Sequence, residues 1–380
     1  MNRYYNPVRV YQGPKSIQKI PQLLGEMDLS KGNILLLAYD AGVFDLSPFR
    51  SLAENHPDLC LCRICFKESN PTVEQLYQVF KSTAAFCPDV VIAVGGGSIL
   101  DVGKSLCCLY GKEIPDAGSL RDYIAKKEYG IPRTRWIGVP TTAGTGSEVT
   151  CWATIWDPKQ NAKRSVESTQ NYAYAAVVDP DLTAGMPVGL ALSSALDAVA
   201  HAAESYWAKA TNDISRTLAL RAIGTIMRSI DSLVHGDPRA RERMSLGSLL
   251  AGLAFSNTKT TACHSISYPL TMHYAIPHGV AVSLLLAPVM RLNQPVIHRY
   301  PDLLQALGVA DADALEERIH ALLRLAGIPA TLREWGIPKE KLPSLAGLGL
   351  TKGRADNNPA ELNAGIIQSI LETIYETKGV

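Results

Sequence analysis

The sequence carries almost no net charge: 37 lysines and arginines stand against 36 aspartates and glutamates, leaving +1 over 380 residues. That balance offers no broad electrostatic footprint for nucleic acid or an anionic membrane, so any basic site must be local. Long apolar runs are missing too. None reaches the roughly 18 uninterrupted apolar residues of a membrane span. The opening "MNRYYNPVRVYQGPKSI" lacks the apolar core of a signal peptide and reads as an alternating strand. The expected location is therefore the cytoplasm. Paired cysteine hooks are also lacking. Cys60, Cys62 and Cys65 fall in "LCLCRICF", but no second C-x-x-C unit accompanies them, and their alternation fits a strand. The eight cysteines are expected to be free thiols in a reducing compartment. No internal repeat or low-complexity tract is visible.

What is present is a chain long enough for two domains, with 47% hydrophobic and 19% charged residues. Its first half alternates short apolar runs with helical spacing. "NILLLAYD" (33–40), "LCLCRICF" (59–66), "PDVVIAVGGGS" (88–98) and "TRWIGVPTT" (134–142) read as strands. "TVEQLYQVFKSTAAF" (72–86) reads as a helix capped by Thr72. This alternation predicts an α/β domain with a parallel sheet and βαβ crossovers. "TIWDPKQNAKRSVE" reads as a hairpin. Beyond "AAVVDPDLTAGMP" (175–187) strand signals stop and Ala- and Leu-rich helical patterns take over. The expected domains are 1–181, α/β and nucleotide-binding, and 182–380, all-α.

The segment "TACHSISYPLTMHYAIPHG" (261–279) holds three of the chain's eight histidines, His264, His273 and His278. In "SSALDAVAHAAESY" (193–206), read as a strongly amphipathic helix, Asp197 and His201 stand four apart and project from one face. An aspartate and imidazoles from these two segments would make an N3O set suited to Fe²⁺ or Zn²⁺. On the residues alone, core histidines and a metal site both remain open.

"VVIAVGGGSILDVGKSLC" (90–107) runs from strand through Gly95, Gly96 and Gly97 into a helix opened by Ser98. Glycines let the backbone approach a pyrophosphate, and helix amides face the anion. The small hydroxyl residues of "VPTTAGTGSEVT" (139–150) supply a second cofactor-compatible loop. Asp40, ending the first core strand, is placed to hold an adenosine ribose diol and to repel a 2′-phosphate, which favours NAD over NADP. An ordinary turn acid is the alternative.

Together "GGGSILDVGK", "PTTAGTGSE", "DAVAHAAESY" and "IPHG" resemble the iron-containing (group III) alcohol dehydrogenase family, in order and spacing, over essentially the whole chain. The resemblance implies an N-terminal α/β dinucleotide-binding domain followed by an all-helical metal-binding domain. It implies Asp197, His201, His264 and His278 as metal ligands, with His273 outside the set. Gly96, Gly97, Ser98 and Asp101 match the pyrophosphate loop, and Thr141, Thr142 and Thr145 the second cofactor loop. Lys163 matches a lysine near the nicotinamide ribose, and Asn70 a position lining the cofactor cleft. Where many relatives carry a histidine four residues after the third ligand, this chain has Tyr268, which either takes over the proton relay or shapes the substrate pocket. A homodimer through the N-terminal strand is a further implication.

"AFSNTKTTACHSISYPLT" (254–271), "ATIWD" (153–157) and "GRADNNP" (353–359) are similar to the phosphonoacetaldehyde reductases within that family. The implied activity is NAD(H)-linked interconversion of phosphonoacetaldehyde and 2-hydroxyethylphosphonate, in phosphonate metabolism. Lys259, flanked by threonines, and Arg354 are the cations available for the phosphonate. Two other readings stay open: a dehydrogenase for an uncharged short-chain alcohol or aldehyde, and a non-catalytic nucleotide- and metal-binding protein.

Overall fold

In the computed structural model, which describes residues 3–160 and 162–376, the strand-forming runs become β1 (Arg9–Gln12), β2 (Gly32–Ala38), β3 (Leu59–Cys65), β4 (Val90–Gly95) and β5 (Arg135–Pro140). The hairpin forms from β6 (Trp152–Asp157) and β7 (Ala162–Glu167), paired antiparallel. The N-terminal strand is shorter than its alternation predicts, because Gly13 turns the chain away after four residues. One strand, β8 (Ala175–Val178), has no counterpart in the sequence reading. Its four residues, Ala-Ala-Val-Val, are all buried, so they show neither alternation nor length.

Six strands form one sheet in the order β1-β8-β5-β4-β2-β3, every neighbouring pair parallel. Both faces are covered, which explains why β2 and β4 read as continuous apolar runs. Leu35, Leu37, Val91 and Ala93 pack on one side with Leu76, Leu100 and Ile155. Ile34, Leu36, Ile92 and Val94 pack on the other with Ile20, Leu23 and Phe49. The Val73–Thr83 helix starts in a full capping box: Thr72 caps the Gln75 amide and the Gln75 side chain returns to the Thr72 amide. The strand order reverses between β2 and β4, and open α/β sheets bind ligands at the carboxyl ends beside such a switch. Asp40 follows β2 and the glycine loop follows β4. This sheet unit comprises Asn6–Thr142 and Ser147–Thr183.

The second unit comprises, among the described residues, 3–5, 143–146 and 184–376. It is helical. Its central element is the Val188–Trp207 helix, packed against the Asp213–Met227, Pro238–Phe255 and His278–Asn293 helices. The expected amphipathic character is corrected here: from Ala191 to Trp207 only Ser194 is not buried. Small Ala and Ser side chains let neighbours close on every side, and the polar residues Asp197, His201, Glu204 and Ser205 are buried in the interior. By length and composition one segment among the described residues, His278–Val296, is apolar enough to cross a membrane, yet 72% of its apolar window is buried in the protein.

Candidate metal centre and cofactor loops

Three helices deliver the four candidate ligands. Asp197 and His201 lie one turn apart on the Val188–Trp207 helix. His264 occupies the first turn of Ala262–Tyr274, and His278 is the first residue of His278–Asn293, directly after Pro277. Gly279 makes that last placement possible. A Cβ there would lie 2.1 Å from the Ser193 carbonyl oxygen, so only glycine allows this helix to start against the backbone of the first.

One ligand atom each from Asp197, His201 and His264 lie within 4.8 Å of one another, all three residues buried. His264 Nε2 is 3.4 Å from Asp197 Oδ1, and His201 Nδ1 is 3.8 Å from Asp197 Oδ2. The His201 and His264 rings stack at 4.3 Å, and His278 stands edge-on to His264 at 5.4 Å between centroids. Asp197 Oδ1, His201 Nδ1 and His264 Nε2 are buried without a hydrogen-bond partner. Unsatisfied buried polar atoms cost about 1–3 kcal/mol each, and three that converge on one point call for a cation. The electrostatics agree. Burial opposes charge on Asp197, but His201 and the other imidazoles outweigh it and hold the carboxyl well below its usual range. Burial lowers His201 to about 4, against the pull of Asp197, so its imidazole is neutral and ready to ligate. The donor set fits a divalent metal. His273, by contrast, is exposed.

One residue of the centre escapes the sequence reading. Glu204, wholly buried, bonds His264 Nδ1 through Oε2, while Oε1 accepts from Thr261 Oγ1 at 2.8 Å and the Cys263 amide at 2.7 Å. Trp207 Nε1 donates to Thr261 Oγ1 at 2.9 Å. A carboxylate on the far nitrogen fixes an imidazole's tautomer and aims its other nitrogen at the metal. The signal was available, since Glu204 follows Asp197 by seven residues and His201 by three, on the same helical face.

In the sheet unit, Gly96 caps the Gly97–Leu109 helix, presenting its first amides at the end of β4. A Cβ on Gly95 would sit 2.3 Å from Ile99 Cγ1, and one on Gly96 would meet Thr142 Cγ2 at 3.2 Å. Ser98 Oγ accepts from the amide of Asn70, a residue in the left-handed region at φ 53°. The Thr141 amide donates to the Gly95 carbonyl at 3.0 Å, so the two cofactor-compatible loops are bonded together. Asp101 has a bracing position: its carboxylate accepts from Ser147 Oγ at 2.6 Å and the Thr154 amide at 2.8 Å, with Lys104 Nζ 3.8 Å away. Lys163 stands over the Trp156 ring at 5.5 Å, and the Trp156 amide donates to the Pro71 carbonyl, tying hairpin to Asn70 loop. Asp40 is exposed and its Oδ1 accepts from the Gly42 amide at 2.8 Å, the geometry of a turn acid. Thr145 falls in the short loop that joins the helical unit; there Gly144, whose Cβ would crowd the Ser194 carbonyl at 2.8 Å, offers its backbone to His201.

The two substrate candidates separate. Lys259, at φ 59°, is exposed and lines an open groove of about 520 Å³ with Lys209, Asn257 and Asp356. Arg354 turns towards Tyr268, its guanidinium carbon 5.4 Å from the ring centroid, and donates from Nε to Thr260 Oγ1 at 3.2 Å. Tyr268 in turn lies nearly parallel to His278, 6.0 Å away. Burial pushes the Tyr268 hydroxyl up to about 12, so it keeps its proton at neutral pH.

Comparison with known proteins gives one consistent result. The pattern described as iron-containing alcohol dehydrogenase matches residues 7–180, and that of the C-terminal part of the same family matches 191–375. The 1,3-propanediol dehydrogenase of Citrobacter freundii is 33% identical over 300 residues, 76% of either chain. Lactaldehyde reductase of Escherichia coli K12 is 33% identical over 319 residues, 80% of this chain and 82% of its own. Among solved structures, sulfoacetaldehyde reductase from Bifidobacterium kashiwanohense in complex with NAD+ superposes with a TM-score of 0.86 at 27% identity, covering 100% of both chains.

Proposed function

The chain belongs to the iron-containing alcohol dehydrogenase family, and from that premise we propose that it is a metal-dependent NAD(H) oxidoreductase interconverting phosphonoacetaldehyde and 2-hydroxyethylphosphonate. The observation that carries the substrate is the meeting of two separate segments beside the ligands. Asn357 Nδ2 donates to the carbonyls of Thr258 and Thr260, and Arg354 donates to Thr260 Oγ1. These are the stretches "NTKTT" and "GRADNNP", far apart in sequence. Likeness to an enzyme that acts on sulfoacetaldehyde, a two-carbon aldehyde with an anionic head, supports the same class.

In this reading Asp197, His201, His264 and His278 hold Fe²⁺, with Zn²⁺ able to occupy the same set. When bound, the metal supplies Lewis acidity for the substrate oxygen. NAD(H) supplies the hydride chemistry. The chain's own residues do the rest. Gly96, Gly97 and Ser98 receive the pyrophosphate at a helix start, and Asp101 braces that loop through Ser147 and Thr154. Thr141, Thr142 and Thr145 shape the second cofactor loop, Asn70 lines the cleft, and Lys163 lies by the nicotinamide ribose. Burial favours the protonated Tyr268 hydroxyl, which bonds Arg354 and in this reading either relays its proton or shapes the substrate pocket. Lys259 and Arg354 are the cations for the phosphonate, since an unpaired buried dianion is very costly. A cytoplasmic, reducing setting fits eight cysteines that all stand as free thiols.

The test is NADH oxidation with phosphonoacetaldehyde and acetaldehyde side by side. Phosphonoacetaldehyde is expected to be turned over with the higher kcat/KM. A higher value for acetaldehyde supports the second reading, an enzyme for uncharged aldehydes, which the likeness to 1,3-propanediol dehydrogenase favours. No oxidation with either removes both substrate readings and points to a different alcohol or aldehyde. For the cofactor, Asp40→Gly is expected to relax discrimination against NADP(H), because a carboxylate repels a 2′-phosphate. Wild-type enzyme that already uses NADPH as efficiently as NADH would rule out the ribose role of Asp40.

A further inference from the structure

Resting on the reading of the substrate as an anionic aldehyde, we infer that Tyr268 and Arg354 form one device that reads the oxyanion, the tyrosine ring being the platform that holds the guanidinium beside His278. Three observations carry it. The Tyr268 ring lies 14° from parallel to the His278 ring at 6.0 Å, and the same ring carries Arg354 Cζ at 5.4 Å. A cation over an aromatic face is held electrostatically and keeps its fork of N–H donors in plane.

The second observation is charge. Among the described residues no carboxylate pairs with Arg354; its Nε donates to Thr260 Oγ1 and its guanidinium also bonds the Tyr268 hydroxyl. A guanidinium has five N–H donors, so three remain for the oxygens of a phosphonate or sulfonate.

The third is rigidity. The loop bearing Arg354 is tied to both helices that supply the last two ligands. The Thr351 amide donates to Ser265 Oγ at 2.9 Å, next in sequence to His264. Asn358 and Asn293 exchange amide hydrogen bonds of 2.8 and 2.9 Å in the interior, and Asn293 ends the helix that begins at His278. A cation fixed to the ligand-bearing helices is preorganised for an anion at a set distance from the metal. Lys259, by contrast, is exposed along an open groove.

The experiment compares wild type, R354A, R354K, Y268F and Y268L by the ratio of kcat/KM for phosphonoacetaldehyde over propionaldehyde. Methylphosphonate inhibition of propionaldehyde reduction is measured in the same set. R354A is expected to lower the ratio roughly 30-fold, the size of one charge-assisted contact, with partial recovery in R354K. Y268L should fall with R354A, and Y268F, which keeps the ring but loses the hydroxyl bonded to Arg354, should fall only in part. An unchanged ratio in R354A overturns the device, and a Y268F ratio as low as that of Y268L overturns the platform. If wild type itself shows no preference for the phosphonate, the substrate reading fails. Methylphosphonate then still judges the pair: equal inhibition constants in wild type and R354A overturn it.

Discussion

Replacing His264 or His278 with alanine is expected to abolish turnover and strip most of the metal, whereas His273→Ala should keep both. The free energy of a four-ligand site, on the order of 10–16 kcal/mol in structural zinc sites, puts each ligand at roughly 3–4 kcal/mol, a several-hundred-fold loss of affinity. His264 stands against the other two helices' ligands with Nε2 otherwise unsatisfied. His278 opens a helix whose start is fixed against Ser193 by Gly279. His273 belongs to the same helix as His264 but lies on its exposed side. Metal content after dialysis, read by elemental analysis, decides. Equal depletion in all three variants would overturn the assignment.

Much of this was readable from residue spacing. The Asp197–His201 interval already placed two donors on one face, and the three glycines after an apolar strand marked the turn into the Gly97–Leu109 helix. The readable features are local ones: a period, a cap, a turn. Pairings distant in sequence left no such trace. β8 is four small residues whose strand character exists only because β1 and β5 flank it. Nothing near Arg354 indicates that it reaches Thr260, 94 residues away. The amphipathic reading of the Val188–Trp207 helix fails for a related reason. Its polar residues are interior groups: Glu204 is bonded by Thr261, Cys263 and His264 and Ser205 by Thr258, while Asp197 and His201 keep unsatisfied atoms in the interior.

Glu204 brings that lesson to a measurable point. It is fully buried and receives three groups: the His264 imidazole, the Thr261 hydroxyl and the Cys263 amide. Glu204→Ala leaves all three without their acceptor, and breaking a buried charged network of this kind costs about 3–5 kcal/mol. Thermal unfolding should show a marked fall even in metal-free protein. Glu204→Gln separates the second role. It preserves shape and an acceptor for Thr261 or Cys263 but removes the charge that polarises His264, so metal affinity should fall about 10–100-fold. Thr261→Val provides the graded case, removing one hydrogen bond to Glu204 while leaving the carboxylate on His264. Chelator competition on the three variants gives the order expected: Thr261→Val weakened least, Glu204→Gln further, Glu204→Ala most. A Glu204→Gln protein that holds metal as tightly as wild type would show that the carboxylate only props the helices apart and does not set the histidine.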